Sequence, residues 1–207
     1  MNFLEWLSLA SLCFAGAASP GPSLAVIVSA SLAGGKRSGL AAAWAHAIGV
    51  GLYAALTVLG LTALLAAAGW LFVGLQSAGA IYLLWLAWGL WRSATSASMS
   101  DEPATTNVKS WARNGFAIAF LNPKLAIFML ALFSQFIRPD ATVAAQAILI
   151  ATATLIDGLW YTLITLVFTR GKWISALRSN AAKIDRLFAV LLSLVALVIL
   201  ARVLSSF

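Results

Sequence analysis

The sequence predicts an all-α integral membrane protein: six transmembrane helices arranged as two inverted three-helix repeats, with helices one and four interrupted. Three observations predict it. Of the 207 residues, 62% are hydrophobic and 9% charged, and the mean hydropathy is +0.98; a water-soluble domain carries about 25% charged residues. The apolar residues gather in six runs, each near the roughly 20 residues that a membrane-crossing helix needs. The first and fourth runs are broken by proline at matching places in the two halves of the chain. The same composition excludes a soluble enzyme, an ordinary DNA-binding protein and a disordered chain.

The first run extends from Phe3 to Leu32 and is interrupted by Pro20-Gly21-Pro22. It has no basic leading segment and resumes after the break, so it reads as a span and not as a cleaved signal peptide. The second run is Gly39 to Ala66, and the third is Trp70 to Trp91. A polar stretch, Arg92 to Asn114, holds Asp101, Glu102 and Pro103. The fourth run, Gly115 to Ile137, contains Asn122-Pro123-Lys124, and the fifth is Ala141 to Thr169. The sixth, Ile184 to Leu204, lies between Arg186 and Arg202, whose side chains can snorkel outward. Leu and Ala dominate these runs and no two-residue alternation appears, which favours helices over membrane strands. The expected organisation is one transporter domain over 1–207, with halves 1–92 and 112–207 joined by a cytoplasmic linker, 93–111.

The net charge of +7 becomes a statement about topology once it is sorted by loop. Ten basic residues fall in the loops after spans one, three and five: Lys36, Arg37, Arg92, Lys109, Arg113, Arg170, Lys172, Arg178, Lys183 and Arg186. The opposite side receives Arg138 and Arg202. Positive loops stay cytoplasmic, so both termini are expected on the outer face. Trp85, Trp88 and Trp91 ring the inner end of span three, Trp70 marks its outer end, and Trp111 and Trp173 flank inner ends, as an interfacial belt does.

Each half thus begins with a proline-interrupted span, and an odd number of spans per half sets the halves in opposite orientations. Paired interrupted spans in inverted halves are a recurring layout of secondary transporters. Proline lacks an N–H, clashes with the preceding turn and pushes the residue before it out of helical geometry. Two readings stand for each break. One is a plain kink. The other is a polar cavity, where the following half-helix presents free N–H groups and a positive dipole end suited to a carboxylate.

Charged and titratable groups inside the runs are few. Lys124 lies about ten residues into span four and is expected to face the interior. Asp157 is the only acid well inside a span, and intramembrane acids carry protons or meet a substrate ammonium. A structural Asp157–Lys124 ion pair is the alternative. His46 is the only histidine; histidine changes charge near neutral pH, which suits proton coupling, and packing between helices is the other reading. Trp160 and Tyr161 share the helical face of Asp157, as cavity walls or as packing residues. The single cysteine, Cys13, allows no intramolecular disulfide and no cysteine-based metal site. No phosphate-binding loop, zinc pattern or catalytic triad order is present, so neither an enzyme nor a cofactor or metal is expected.

Ser19-Pro20-Gly21-Pro22, the glycines at 35, 39, 49, 51 and 60, and Leu121-Asn122-Pro123-Lys124 with Ser134-Gln135-Phe136-Ile137 resemble the lysine exporter and homoserine/threonine exporter superfamily. Asp157 with Trp160-Tyr161 resembles that family's fifth span, while Leu125 and Ser134 depart from its usual form. The resemblance covers essentially the whole chain. It implies a multi-pass amino-acid exporter of the bacterial inner membrane, driven by the proton gradient. On that basis the substrate carboxylate is expected at the half-helix ends of Pro20-Gly21-Pro22 and Asn122-Pro123 with Lys124 nearby, and its ammonium at Asp157. A second positive charge on the substrate has no further deep acid to meet, which favours a neutral or small polar amino acid. Expected partners are the amino acid, protons and membrane lipids, with no nucleic acid; small-residue faces leave a homodimer open. A passive channel or an exporter of another small solute is the alternative.

Overall fold

The computed structural model describes residues 2–19, 21–92, 107–138, 141–168 and 174–204. Of the residues singled out above, Pro20, Asp101, Glu102, Pro103, Arg170, Lys172 and Trp173 lie outside the described residues, as do the side chains of Pro123, Lys124, Arg178 and Arg202. The described chain is helical, with no strand among these residues. Its helices are α1 (Phe3–Ala18), α2 (Pro22–Ala33), α3 (Gly35–Ala67), α4 (Gly69–Arg92), α5 (Val108–Phe120), α6 (Pro123–Phe133), α7 (Val143–Phe168) and α8 (Ile174–Leu204).

α1 opens with a capping box in which Asn2 Oδ1 accepts from the Glu5 N–H at 2.8 Å and the Asn2 N–H donates to Glu5 Oε2 at 3.0 Å. It stops at Ala18 because Ser19, the residue before Pro20, is extended, with φ −62° and ψ 127°. α2 then starts with Pro22 in its first turn, where no N–H is needed. The two helices meet at 63°. α5 and α6 repeat the device at Leu121-Asn122, with a bend of 54°, and Pro123 again leads the second helix. Both proline signals therefore become true breaks.

α3, α4 and α7 are long and apolar enough to cross a membrane, and each bent pair counted as one span brings the number to five. The expected sixth run falls in α8, of which the side chains are described only in part; the count of five is made of the described residues. The spans are apolar on both faces, as membrane helices are. α3 turns Trp44, Ile48, Leu52, Leu56 and Leu59 outward, and α7 turns Leu155, Leu159 and Leu163 outward. Trp70, Trp85, Trp88 and Trp91 are exposed, as a belt requires, with the Arg92 guanidinium 4.9 Å from the Trp88 ring. Trp111 corrects the belt expectation. It is fully buried in the core that α2, α3, α5 and α7 share, because α5 lies against α3. That approach needs Gly115, one turn on, since a Cβ there would collide with the Ala42 carbonyl.

α3 is the hub. It packs on α2, α5 and α7, while α1 lies on α7 and α4 on α8. A larger core joins α1, α3, α4, α6, α7 and α8 toward the face that carries the N-terminus, and a smaller one joins α2, α3, α5 and α7 toward the opposite face. The two helix breaks lie between them.

Candidate functional site

The breaks converge on a buried polar cavity of about 80 Å³. Cys13 and Gly16 of α1, Ser19 and Gly21 of the first break, Ser23 of α2, Asn122 of the second break, Phe128 and Met129 of α6, His46 and Val50 of α3, and Asp157 and Tyr161 of α7 contribute to its wall. The volume is room for a few waters, well below the roughly 300–1,000 Å³ of ordinary ligand pockets.

Its strongest interaction is between Asp157 and His46. His46 Nδ1 stands 2.7 Å from Asp157 Oδ2, and the two residues are 2% and 6% exposed. A carboxylate buried this deeply is stable only when paired and hydrogen-bonded. The tautomer follows from the contact: a neutral imidazole donating from Nδ1 leaves Nε2 as an acceptor. Nε2 is buried and has no partner among the described residues. Tyr161, one turn beyond Asp157, presents its ring edge-on to His46 with centroids 5.0 Å apart. Ser23 approaches the Tyr161 hydroxyl from α2.

The two broken helices treat this chamber differently. Among the described residues no side chain caps the N-terminus of α2 and none partners the Ser19 hydroxyl, beside which Pro22 and Ser23 line the cavity. The first N–H groups of a helix have no partner within it, so this end offers donors and a positive dipole. At α6, Asn122 Oδ1 accepts from the Leu125 N–H at 3.3 Å, so that end is already capped.

Of the residues expected at a site, Gly21, Pro22, Asn122, Asp157, Tyr161 and His46 come together around one cavity. Pro20 and the side chains of Pro123 and Lys124 fall outside the described residues. Trp160 is not among the described lining residues; its ring meets Phe14 edge-on at 5.1 Å. The partner that Asp157 does have is His46, a pairing across 111 positions that no local pattern signals. Sequence reasoning also missed Cys13, Ser19, Ser23, Phe128 and Met129, of which the two serines flank the Pro-Gly-Pro break and were within reach of it.

Access is unequal on the two faces. Toward the N-terminal face, a cavity of about 900 Å³ opens between α1, α4, α7, α8 and residues 134–138 and 141–142. Toward the other face, α2, α3 and α7 close tightly. Ser31 Oγ lies 3.3 Å from Thr165 Oγ1, and a Cβ at Gly39 would run into both side chains.

A bundle of apolar helices with two broken spans around a buried acid–imidazole pair defines an integral membrane protein with a polar centre. Comparison with known proteins gives that class its family. The LysE type translocator profile matches residues 14–202, and the chain belongs to this family of membrane transport proteins. An uncharacterised membrane protein of Escherichia coli K12 is 28% identical over 73% of this chain and 69% of its own length. The homoserine/homoserine lactone efflux protein of Salmonella typhimurium LT2 is 28% identical over 75% of this chain and 76% of its own. The leucine efflux protein of Enterobacter sp. 638 is 30% identical over 66% of this chain and 65% of its own. No solved structure matches the chain.

Proposed function

We propose that this chain is a proton-coupled exporter of neutral or small polar amino acids across the bacterial inner membrane. The observation that carries the reading is the buried Asp157–His46 pair in a cavity at the crossing of two broken helices. Family membership and the efflux names of the relatives support the amino-acid class.

The substrate carboxylate sits at the uncapped N-terminus of α2, around Gly21, Pro22 and Ser23, with Asn122, Pro123 and Lys124 on the facing break. Its ammonium meets Asp157. His46 holds that carboxylate in place and exchanges protons with it. Protonation of the pair from the outer face removes the charge that attracts the ammonium, and the amino acid leaves. Loss of the proton to the inner face restores the site. Tyr161 and Trp160 stiffen the α7 wall. Asp157 is the only buried acid among the described residues, so a lysine or arginine side chain brings a charge with no counterpart.

In this reading α8 is the sixth span, residues 1–92 and 112–207 are inverted repeats about the linker 93–111, and both termini are periplasmic. The packing supports the repeat: α3 meets α7 and α4 meets α8, and α1 on α7 is matched by α5 on α3. The open N-terminal vestibule and the closed opposite face are what one end state of alternating access requires.

A sensitivity screen tests the substrate class. Cells overproducing the protein are challenged with each amino acid and its toxic analogues. Protection against neutral or small polar members is expected. Protection chiefly against lysine or arginine would refute the preference.

A further inference from the structure

The 900 Å³ vestibule has the size of a ligand pocket, and its wall carries groups that the transport cycle above does not use. Arg138, from the segment after α6, pairs with Glu5 in the first turn of α1, 133 positions away. These two opposite charges stand at the rim, with the Arg138 side chain 62% exposed and that of Glu5 28%. Deeper in, Gln76 of α4 donates from Nε2 to the Ser134 carbonyl at 2.8 Å. Gln135 donates from Nε2 to Ser134 Oγ at 3.1 Å, while its Oε1 is buried and has no partner among the described residues. Each amide nitrogen uses one of its two N–H groups in these contacts, and Gln135 Oε1 remains as a buried acceptor.

We propose that the vestibule is a second amino-acid site, an exit station that binds the zwitterion after it leaves the Asp157 chamber. Arg138 takes the carboxylate, Glu5 takes the ammonium, and Gln135 Oε1 accepts a further ammonium N–H. The chemistry fits because a free amino acid carries the same two charges as the rim pair. Each side chain exchanges its partner for the ligand's opposite group, so no charge is stranded. A surface ion pair that only fastened α1 to the neighbouring loop would contribute little, and would leave the Gln135 acceptor without a role. Position supports the same assignment. Leu12 and Leu149 line the vestibule, while Cys13 and Ala153, one residue and one helical turn further on, line the central chamber. Leu149 and Ala153 stand one turn apart along α7, a rise of about 6 Å. Exposure of the rim pair makes this a weak site, as release requires.

The proposal rests on the transport reading, and its test separates the two. Right-side-out membrane vesicles holding the full chain are loaded with radiolabelled L-homoserine or L-leucine, and the same unlabelled amino acid is added outside. In the wild type its effect on efflux saturates with external concentration. Arg138→Gln and Gln135→Leu each raise the half-saturating external concentration about 10-fold or more, and Arg138→Lys recovers part of the loss. The amino-acid methyl ester, which lacks the carboxylate, acts weakly on the wild type and no more weakly on Arg138→Gln. Half-saturation unchanged within about two-fold in both variants, or efflux that ignores external amino acid, overturns the exit site alone. Absence of efflux of either probe overturns the transport reading and this site with it.

Discussion

Asp157 is buried inside a bundle of apolar helices, and its Oδ2 stands 2.7 Å from the imidazole Nδ1 of His46. In the proposed cycle Asp157 is the substrate contact and His46 the group that exchanges protons with it. His46→Gln isolates this. A glutamine amide can still donate to Asp157 but does not titrate. The variant is expected to accumulate normally and to lose the dependence of efflux rate on external pH, followed from about pH 5 to 8. Initial efflux rates across that range check it, and a profile matching the wild type contradicts it. Both members of the pair were legible in the sequence as deep titratable groups. Their contact was not, because a single sequence records no spatial neighbours for helices 111 positions apart. Glu5 and Arg138 were likewise visible as charges at outer ends, and their pairing was not.

At the scale of helices, the chemistry depends on how closely backbones approach. α5 lies on α3 because Gly115 has no Cβ to strike the Ala42 carbonyl, and that approach buries Trp111 and sets the second break beside the first. Gly115→Val is therefore expected to destabilise the protein by about 1–3 kcal/mol, as overpacking does. Gly74→Val is the control, since nothing stands within 4 Å of a Cβ at Gly74. Thermal melting in detergent compares them; equal midpoints would contradict the packing account. Element positions were well marked in the sequence, because proline excludes the helix-interior backbone wherever it stands. The breaks at Ser19-Pro20-Gly21-Pro22 and Leu121-Asn122-Pro123 accordingly became bends of 63° and 54°. The burial of Trp111 was not marked. An aromatic residue near a basic cluster satisfies a lipid interface and a helix contact equally well, and only the neighbouring helix decides between them.

At the scale of the whole molecule, the proposed cycle reads the vestibule on one face, the small central cavity and the close contact at Ser31, Gly39 and Thr165 as a path open at one end. The six-span reading makes a topological prediction. Epitope tags at the two termini should both be reached from the outer face of intact cells by impermeant reagents; tags on opposite faces would mean that α8 does not cross. The central claim is that export of an amino acid is coupled to protons through Asp157. The most direct measurement uses proteoliposomes loaded with radiolabelled L-homoserine or L-leucine, with the outside made more acidic than the lumen. Protons entering as substrate leaves should accelerate efflux in the wild type, and Asp157→Asn should abolish the acceleration. Efflux indifferent to the gradient, or accelerated equally in Asp157→Asn, would contradict the account.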